Sequence, residues 1–241
     1  MHCAIRALPI ALIATGLAAC GKDSSGPGAG FECLGQALPT TAPATITVSG
    51  QTRGNAFSPT ALGGVEIIAS RTGHDTLAAD TSNTPGMFSL TITTGGTPVD
   101  GYLQLTKSGY LPTYAYPSRP LAGDATENVL MITGTEFSFL SGAVQVTQTT
   151  GNGFIGVVVK NCDGTPIAGA TVTTSPAGTV RYNSVSTPSS SATSTSADGV
   201  AYVFNVAAGN VTVQANGGGH TLRQHVVNAR VNAITVTEIQ P

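Results

Sequence analysis

The chain has few charged residues and no tryptophan. Only 9% of its 241 residues are Asp, Glu, Lys or Arg, against about 25% in an average soluble protein. Its 10 basic and 12 acidic residues form no long run of either sign, whereas nucleic-acid binding depends largely on clustered Lys and Arg. The composition therefore argues against a DNA or RNA partner. It predicts a surface built mainly from hydroxyl and amide groups.

Common catalytic motifs are missing as well. The sequence contains no Gly-x-Ser-x-Gly elbow, no His-Glu-x-x-His helix and no phosphate-binding loop ending in Lys-Ser or Lys-Thr. His220 and His225 are five positions apart, whereas metal-binding histidines on a helix are usually four apart. Cys162 has no neighbouring His to act as its base. We therefore expect no catalytic residue, no metal site and no cofactor.

The N-terminal 19 residues have the layout of a secretory signal. Arg6 precedes an apolar stretch that is too short to cross a bilayer as a stable helix, and small residues follow it. Residues 17–20, LAAC, resemble the lipobox of bacterial lipoproteins, which implies cleavage before Cys20 and lipidation of its thiol. Gly21 stands where an inner-membrane retention signal would place Asp, so the resemblance predicts an outer-membrane lipoprotein facing the periplasm or the cell surface. The alternative is an ordinary signal peptide with an incidental cysteine.

Cysteine is scarce, and elimination leaves one pair. Cys3 leaves with the signal and Cys20 carries lipid, so Cys33 and Cys162 remain in an oxidising compartment. We predict a disulfide between them.

Residues 20–43 have the composition of a flexible tether. The stretch GKDSSGPGAG, which directly follows Cys20, contains too few apolar residues to form a core. A flexible chain from Cys20 to Cys33 spans on the order of 20 Å. We expect the tether to separate a folded module from lipid headgroups.

The rest of the sequence alternates between apolar and polar residues with a period of two. Examples of the apolar positions are Ile46 and Val48, Val65 and Ile67, Phe88, Leu90 and Ile92, and Leu103 and Leu105. Alternation of this kind predicts half-buried strands. Short strands separated by turns rich in Gly, Pro, Asn and Asp predict an all-β, antiparallel sandwich fold.

The second half of the chain repeats the pattern of the first. ALGGVEI, TPGMFSL and DGYLQL, at 61–67, 84–90 and 100–105, correspond to PIAGATV, ADGVAYV and AGNVTV, at 166–172, 197–203 and 208–213. We therefore predict two tandem modules, residues 44–133 and 150–241. The second copy is longer, and the surplus falls on the polar stretch 183–196, which we expect to form an enlarged loop.

A short helix is predicted between the two modules. Residues 134–149 form the connector, in which Thr135 is a candidate N-cap, and Phe137, Leu140 and Val144 share one face at helical spacing. The segment has no basic face, so we interpret it as a packed connector and not as a membrane-binding helix.

The repeated motifs resemble the carboxypeptidase regulatory-like domain, a small Greek-key sandwich of the transthyretin-like group. The resemblance is carried by GVVVKNCDGTPIAGATV and ADGVAYVFNVAAGNVTVQA in the second half, and by LGGVEIIA, TPGMFSL and LQLTKSGYLPT in the first. It implies a non-catalytic accessory or surface module. Intradiol dioxygenases use a related sandwich, but their tight His-x-His pair is missing here, so a metal-dependent enzyme is only a further alternative.

One segment is a candidate for ligand recognition. GYLPTYAYPSRP, residues 109–120, places Tyr110, Tyr114 and Tyr116 near prolines and an arginine, and exposed tyrosines can stack on sugars or peptides. The alternative is that these tyrosines pack inside the protein. The leading interpretation is a lipid-anchored, non-catalytic binding or structural module of the cell envelope, with a glycan or an envelope protein as a possible partner. A carbohydrate-binding module is the alternative.

Overall fold

The computed structural model describes residues 28–241. The predicted signal segment, Cys20 and the first part of the predicted tether lie outside the described residues. The described part contains eighteen strands and one α-helix, so the all-β sandwich prediction is confirmed. No helix among residues 28–241 has the length and apolar character needed to cross a membrane.

The strands are numbered in chain order through both halves. Those of the first half are β1 (Thr45–Gly54), β2 (Thr60–Ala61), β3 (Glu66–Arg71), β4 (Thr76–Thr81), β5 (Met87–Thr93), β6 (Gly101–Thr106), β7 (Thr113–Tyr116), β8 (Ala125–Thr126) and β9 (Val129–Met131). Helix α1 (Gly134–Ala143) follows. Those of the second half are β10 (Asn152–Val159), β11 (Thr171–Ser175), β12 (Thr179–Ser184), β13 (Thr187–Ser189), β14 (Val200–Ala207), β15 (Gly209–Gly217), β16 (His220–Thr221), β17 (His225–Ala229) and β18 (Ile234–Ile239).

One sheet of nine strands runs through both halves of the chain. Its order is β13-β12-β14-β10-β18-β7-β6-β3-β4. The two halves meet where β18 pairs with β7 in parallel, from Ile234 beside Thr113 to Thr237 beside Tyr116. The two halves therefore share a continuous hydrogen-bonded sheet.

A smaller sheet covers each half of the shared sheet, and the two lie on opposite faces. A five-stranded sheet contains β2, β1, β5, β8 and β9, and a four-stranded sheet contains β11, β15, β16 and β17. Ala115 packs in the core beneath the five-stranded sheet, whereas Tyr116 packs in the core beneath the four-stranded sheet. Because successive side chains of a strand point to opposite faces, the two cores lie on opposite sides of β7.

Each half has a core of alternating apolar residues. The first core includes Ile46, Val48, Ile67, Leu90, Leu105 and Met131. The second includes Ile155, Val157, Val203, Val211, Val213 and Ile239. Tyr102 of the first half belongs to the second core, and Val236 of the second half packs against the first. Each half therefore contributes side chains to the core of the other, in addition to the hydrogen bonds between β7 and β18.

Helix α1 covers a third apolar cluster on the same face as the first core. Phe137 packs edge-on against Phe154, with 5.1 Å between the ring centroids, and lies 6.0 Å from Phe204. The helix begins after Thr133, whose hydroxyl accepts a hydrogen bond from the Glu136 amide at 3.2 Å, while the Glu136 carboxylate accepts from the Thr133 amide at 2.8 Å. The cap is therefore Thr133 and not Thr135, because the capping box places the boundary two residues earlier.

The expectation of an enlarged loop in the second half is wrong in part. The polar stretch 183–196 is not simply a loop, because β12 and β13 form a hairpin there, at the edge of the nine-stranded sheet. Thr195 is buried, and its hydroxyl donates to the carbonyl of Ile167 at 2.6 Å. Hydroxyl and amide side chains satisfied in this way can be ordered despite their low-complexity composition.

Replacing Thr133 tests the position of the helix cap. We expect Thr133→Ala to lower the free energy of unfolding by about 1 kcal/mol, because it removes the hydroxyl that caps the helix. Thr135→Ala is the matched control, and it should cost less than about 0.5 kcal/mol, since Ala favours helix and Thr135 is exposed. Urea denaturation measures both. Equal losses, or a larger loss for Thr135→Ala, would contradict the capping box.

Candidate functional site

Three tyrosines meet at the junction of the two halves. Tyr102 lies on β6, and Tyr114 and Tyr116 lie on β7. Their side chains point to the face of the nine-stranded sheet that the four-stranded sheet covers in the second half. The ring centroid of Tyr102 is 5.8 Å from that of Tyr114 and 5.1 Å from that of Tyr116. Tyr114 and Tyr116 point the same way because they are two positions apart on one strand. The tyrosines form one contiguous aromatic cluster.

Arg230, in the connection between β17 and β18, lies over this cluster. The central carbon of its guanidinium group is 3.8 Å from the Tyr114 ring centroid and 4.8 Å from that of Tyr102. Its Nη1 donates to the Tyr116 hydroxyl and to the Asn228 carbonyl, both at 3.0 Å. Burial raises the pKa of Tyr116, and the contact with Arg230 opposes that rise. The arginine therefore joins β17 of the second half to β7 of the first.

Two histidines border the tyrosine cluster. His74 Nδ1 lies 2.9 Å from the Tyr102 hydroxyl, and His225 Nδ1 lies 2.8 Å from the Thr237 hydroxyl. Burial lowers the pKa of His225, while nearby Asp100 opposes the shift. Burial therefore favours the neutral form of the His225 ring, which is bonded to a hydroxyl. Among residues 28–241, no three His, Cys, Asp or Glu side chains are grouped to hold one metal ion.

The exposed tyrosine surface expected from the sequence does not match this geometry. Tyr116 is only 6% exposed, and Tyr114 is half-buried beneath Arg230. Tyr110 packs against the first core and lies close to Gly54. Tyr114 and Tyr116 share one face of β7, but that face is covered by the second half of the chain. These tyrosines serve as packing contacts at the junction.

The segment before β1 is partly docked on the second half. The structure joins Cys33 to Cys162 through a disulfide, with 5.8 Å between their Cα atoms. The Gly30 carbonyl accepts from the Cys162 amide at 2.8 Å, and Arg223 Nη2 donates to the Gln36 carbonyl at 2.8 Å. Phe31 packs against His220, with 4.7 Å between the ring centroids, and against Gly218. We call residues 28–36 the strap.

The strap corrects the expectation that all of residues 20–43 form a flexible tether. Phe31 supplies an apolar side chain that packs against the second core. A ring placed this close to Gly218 leaves no room for a Cβ, which would fall 2.2 Å from Phe31 Cζ. The disulfide lies two residues after Phe31, so the chain is held to the turn between β10 and β11.

A charged group lies at the seam of the two halves on the other face. Glu127, between β8 and β9, lies near the ion pair of Lys160 and Glu238. Burial raises the pKa of Glu127 from 4.5 to about 7, repulsion from Glu238 adds to the rise, and Lys160 opposes it. Near pH 7 this carboxyl group is therefore only partly ionised.

A small cleft lies where β7, β18 and β10 begin. Its volume is about 170 Å³, and its lining includes Phe137, Phe154, Thr149, Thr150, Asn152 and Asn232. Sequence patterns do not reveal this cleft, because its walls come from four separate segments of the chain. The available signals were the polar run around Thr149 and the isolated Asn232, neither of which forms a known binding motif.

An exposed aromatic pair lies on another side of helix α1. Phe57 is 61% exposed and Phe139 is 60% exposed, and their ring centroids are 4.9 Å apart in an edge-to-face arrangement. The Glu136 carboxylate accepts from the Ala56 amide at 2.8 Å, and so holds the loop that carries Phe57. Neither ring lines the cleft.

Comparisons with known proteins give only distant similarities. No family model matches the chain, and neither does any curated protein. Among solved structures, the shaft pilin SpaA from Lactobacillus rhamnosus GG is 13% identical with a TM-score of 0.27, covering 82% of this chain and 98% of the pilin. The major pilin subunit of Bacillus cereus is 7% identical with a TM-score of 0.28, covering 82% and 100%. The minor pilin GBS52 of Streptococcus agalactiae is 10% identical with a TM-score of 0.26, covering 81% and 95%.

Truncating Tyr116 tests its role at the junction. We expect Tyr116→Ala to lower the free energy of unfolding by about 3 kcal/mol, because it removes a buried ring. Tyr116→Phe keeps the ring and loses the hydrogen bond from Arg230, so it should cost about 1 kcal/mol. Chemical denaturation measures both changes. A loss below about 1 kcal/mol for Tyr116→Ala would contradict its burial between the two halves.

The raised pKa of Glu127 predicts a pH-dependent stability. The folded state binds the proton more tightly than the unfolded state, so the free energy of unfolding should fall as pH rises from about 4.5 to about 7. The loss is at most about 3 kcal/mol, since one pKa unit corresponds to about 1.4 kcal/mol. Glu127→Gln should remove this part of the pH dependence and be more stable than the unmodified protein at pH 8.

Glu66→Gln, on the exposed side of β3, is the control for losing a carboxylate. Denaturation midpoints measured between pH 4 and pH 8 compare the three proteins. If Glu127→Gln keeps the same slope as the unmodified chain, Glu127 is not the titrating group.

Proposed function

We propose that this protein is a lipid-anchored, non-catalytic structural module of the bacterial cell envelope. The observation that carries the proposal is the strap, because it fixes the start of the folded part to one end of the second half. The predicted lipidation site, Cys20, lies shortly before the strap in sequence. A rigidly held segment next to an anchor suits a module that must be presented at a defined distance from a surface.

The number of residues between Cys20 and the strap supports this arrangement. About eight residues separate Cys20 from Gly28, and a chain of that length reaches at most about 28 Å when fully extended. A flexible chain of the same length has a root-mean-square span of about 15 Å. In this proposal the strap shortens the chain between the anchor and the folded part, and keeps the turn around Cys162 near the membrane.

The shared sheet supports a structural role for the folded part. Two modules connected only by a linker would move independently, whereas β7 and β18 join these two through continuous backbone hydrogen bonds. Arg230 and the tyrosine cluster add side-chain contacts across the same junction. We propose that the two halves act as one rigid unit, each of the carboxypeptidase regulatory-like type.

The side chains that sequence patterns offered for chemistry have structural partners. His74 and His225 contact hydroxyl groups, Cys162 is in a disulfide, and Tyr102 and Tyr116 contact each other and Arg230. A catalytic base needs a substrate or a nucleophile within hydrogen-bond reach. These contacts favour the non-catalytic role over the metal-dependent enzyme considered from the sequence.

Replacing Cys20 tests the anchor. We expect Cys20→Ser to leave the membrane fraction or to remain uncleaved, because lipidation requires its thiol. Cys3→Ser is the matched control, since Cys3 lies within the signal, and it should stay in the membrane fraction. Fractionation followed by mass spectrometry of the N-terminus measures both outcomes. A cleaved Cys20→Ser protein that remains in the membrane fraction would contradict the proposed anchor.

A further inference from the structure

The cleft beside helix α1 is built from neutral groups of two kinds. Phe137 and Phe154 supply aromatic carbon, while Thr149, Thr150 and Asn232 supply hydroxyl and amide groups. Leu111 and Ile234 complete the apolar part. None of the residues that line the cleft within 28–241 is charged. The cleft therefore suits an uncharged ligand that has an apolar face and polar edges.

The walls of the cleft are held in place by hydrogen bonds. The Gln148 side chain donates to the carbonyls of Asn152 and Gly153, both at 3.1 Å, and accepts from the Asn205 amide at 3.2 Å. Asn205 Oδ1 in turn accepts from the Thr149 amide at 2.6 Å. The loop 147–152 is thus fixed by two amide side chains. A site that is formed before a ligand arrives loses less entropy on binding.

The opposite wall is fixed by backbone contacts. The Ile234 amide donates to the Pro112 carbonyl at 2.8 Å, and the Leu111 amide donates to the Ile132 carbonyl at 2.9 Å. Asn232 stands at the tip with a φ of 57°. Asn adopts this region of backbone conformation more readily than other non-glycine residues, so it suits the tip of this turn.

Several polar groups on the rim remain available. The side chains of Thr149, Thr150 and Asn232 make no hydrogen bond with other residues in 28–241, and all three residues are exposed. The Gln148 side chain is not available, because its nitrogen and its oxygen already form hydrogen bonds with Asn152, Gly153 and Asn205. The free hydroxyl and amide groups therefore share the lining of the cleft with a half-buried aromatic residue, Phe137.

The size of the cleft limits what it can hold. Its 170 Å³ is below the ~300–1,000 Å³ of pockets that enclose drug-sized ligands. It has room for one ring-sized group. A lipid chain would leave the polar rim unpaired, and an anionic group would find no cation in the lining.

We propose that this cleft binds a single uncharged sugar ring, such as the end residue of a glycan chain. The apolar face of the ring stacks on Phe137, and its hydroxyl groups bond to Thr149, Thr150 and Asn232. The cleft lies at the start of β10, whereas the disulfide lies beyond its end. The eight residues of that strand separate the two by about 26 Å. If the proposed anchor is correct, the sugar site faces away from the membrane, but binding itself does not depend on the anchor.

Titration of the full folded protein with sugars, followed by amide NMR, tests the proposal. The probes are glucose, galactose, mannose and N-acetylglucosamine. Sorbitol is the control for hydroxyl groups without a rigid ring, and glucuronate is the control for charge. We expect at least one neutral sugar to bind with a dissociation constant on the order of 1 mM, as a ligand of this size permits. Shifts should concentrate on residues 148–152 and 232–234, and the two controls should bind at least about threefold more weakly.

Three variants and one matched control locate the site. Phe137→Leu keeps an apolar side chain and should weaken binding about twofold to tenfold through loss of the ring. Asn232→Gly keeps the backbone conformation, and Thr150→Val keeps the shape, so each should weaken binding about threefold through loss of one hydrogen bond. Phe139→Ala removes the exposed ring on another side of the same helix and should leave the affinity unchanged.

Three results would overturn the proposal. They are the absence of shifts with all four neutral sugars, unchanged affinity in both Asn232→Gly and Thr150→Val, and a larger loss in Phe139→Ala than in Phe137→Leu. The last result would assign binding to the aromatic pair of Phe57 and Phe139. Melting temperatures measured beside each titration show whether Phe137→Leu loosens the helix, and the two polar variants decide the outcome in that case. A cleaved Cys20→Ser variant that stays in the membrane fraction but still binds sugar would contradict only the anchor.

Discussion

The parallel pairing of β18 with β7 is the contact on which the rest of the architecture depends. It satisfies backbone groups that would otherwise form exposed edges on both halves of the chain. It also sets the orientation of the halves, since pairing Thr237 with Tyr116 determines which side chains share a face. A shift of one residue would exchange the two faces. The register is therefore fixed by two cores at once.

The opposite placement of the two covering sheets explains the composition of the junction. Parallel strands are usually buried on both faces, and β18 follows this rule, because Thr235 is fully buried on one face while Ile234 packs beneath helix α1 on the other. Beyond the border of the four-stranded sheet, however, the same face of the nine-stranded sheet is exposed to water. Tyr102, Tyr116 and Arg230 suit this border because each combines a large apolar surface with a polar group.

The sequence predicted local structure better than it predicted partners. Alternation at Ile46 and Val48 identifies β1, and helical spacing around Phe137 identifies α1, because both patterns depend on residues close in the chain. The pairing of β7 with β18 joins segments more than one hundred residues apart, and no periodicity encodes it. For this reason the exposure expected for Tyr116 is wrong, since the half of the chain that covers it lies far away in the sequence. The disulfide partners were found only because two other cysteines had been assigned elsewhere.

The candidate cleft was beyond sequence reasoning for a related cause. Its residues come from a helix, two loops and the starts of strands, and each is ordinary within its own segment. Asn232 and Asn205 matter through a positive φ and through amide contacts, which become visible only when the loops are placed together. The Phe31 contact with Gly218 is similar, since a glycine that makes room for a ring looks like a simple turn residue.

The position of β18 within the sheet has a consequence for how the chain reaches its folded state. This strand follows every other strand in chain order, yet it lies near the middle of the nine-stranded sheet, between β10 and β7. A chain that emerges from its N-terminus therefore presents two unpaired strand edges until residues 234–239 have been released. Such edges attract other extended chains. During synthesis, the nascent chain is thus most vulnerable to aggregation in the interval before β18 is available, and insertion of that strand closes both edges in one step.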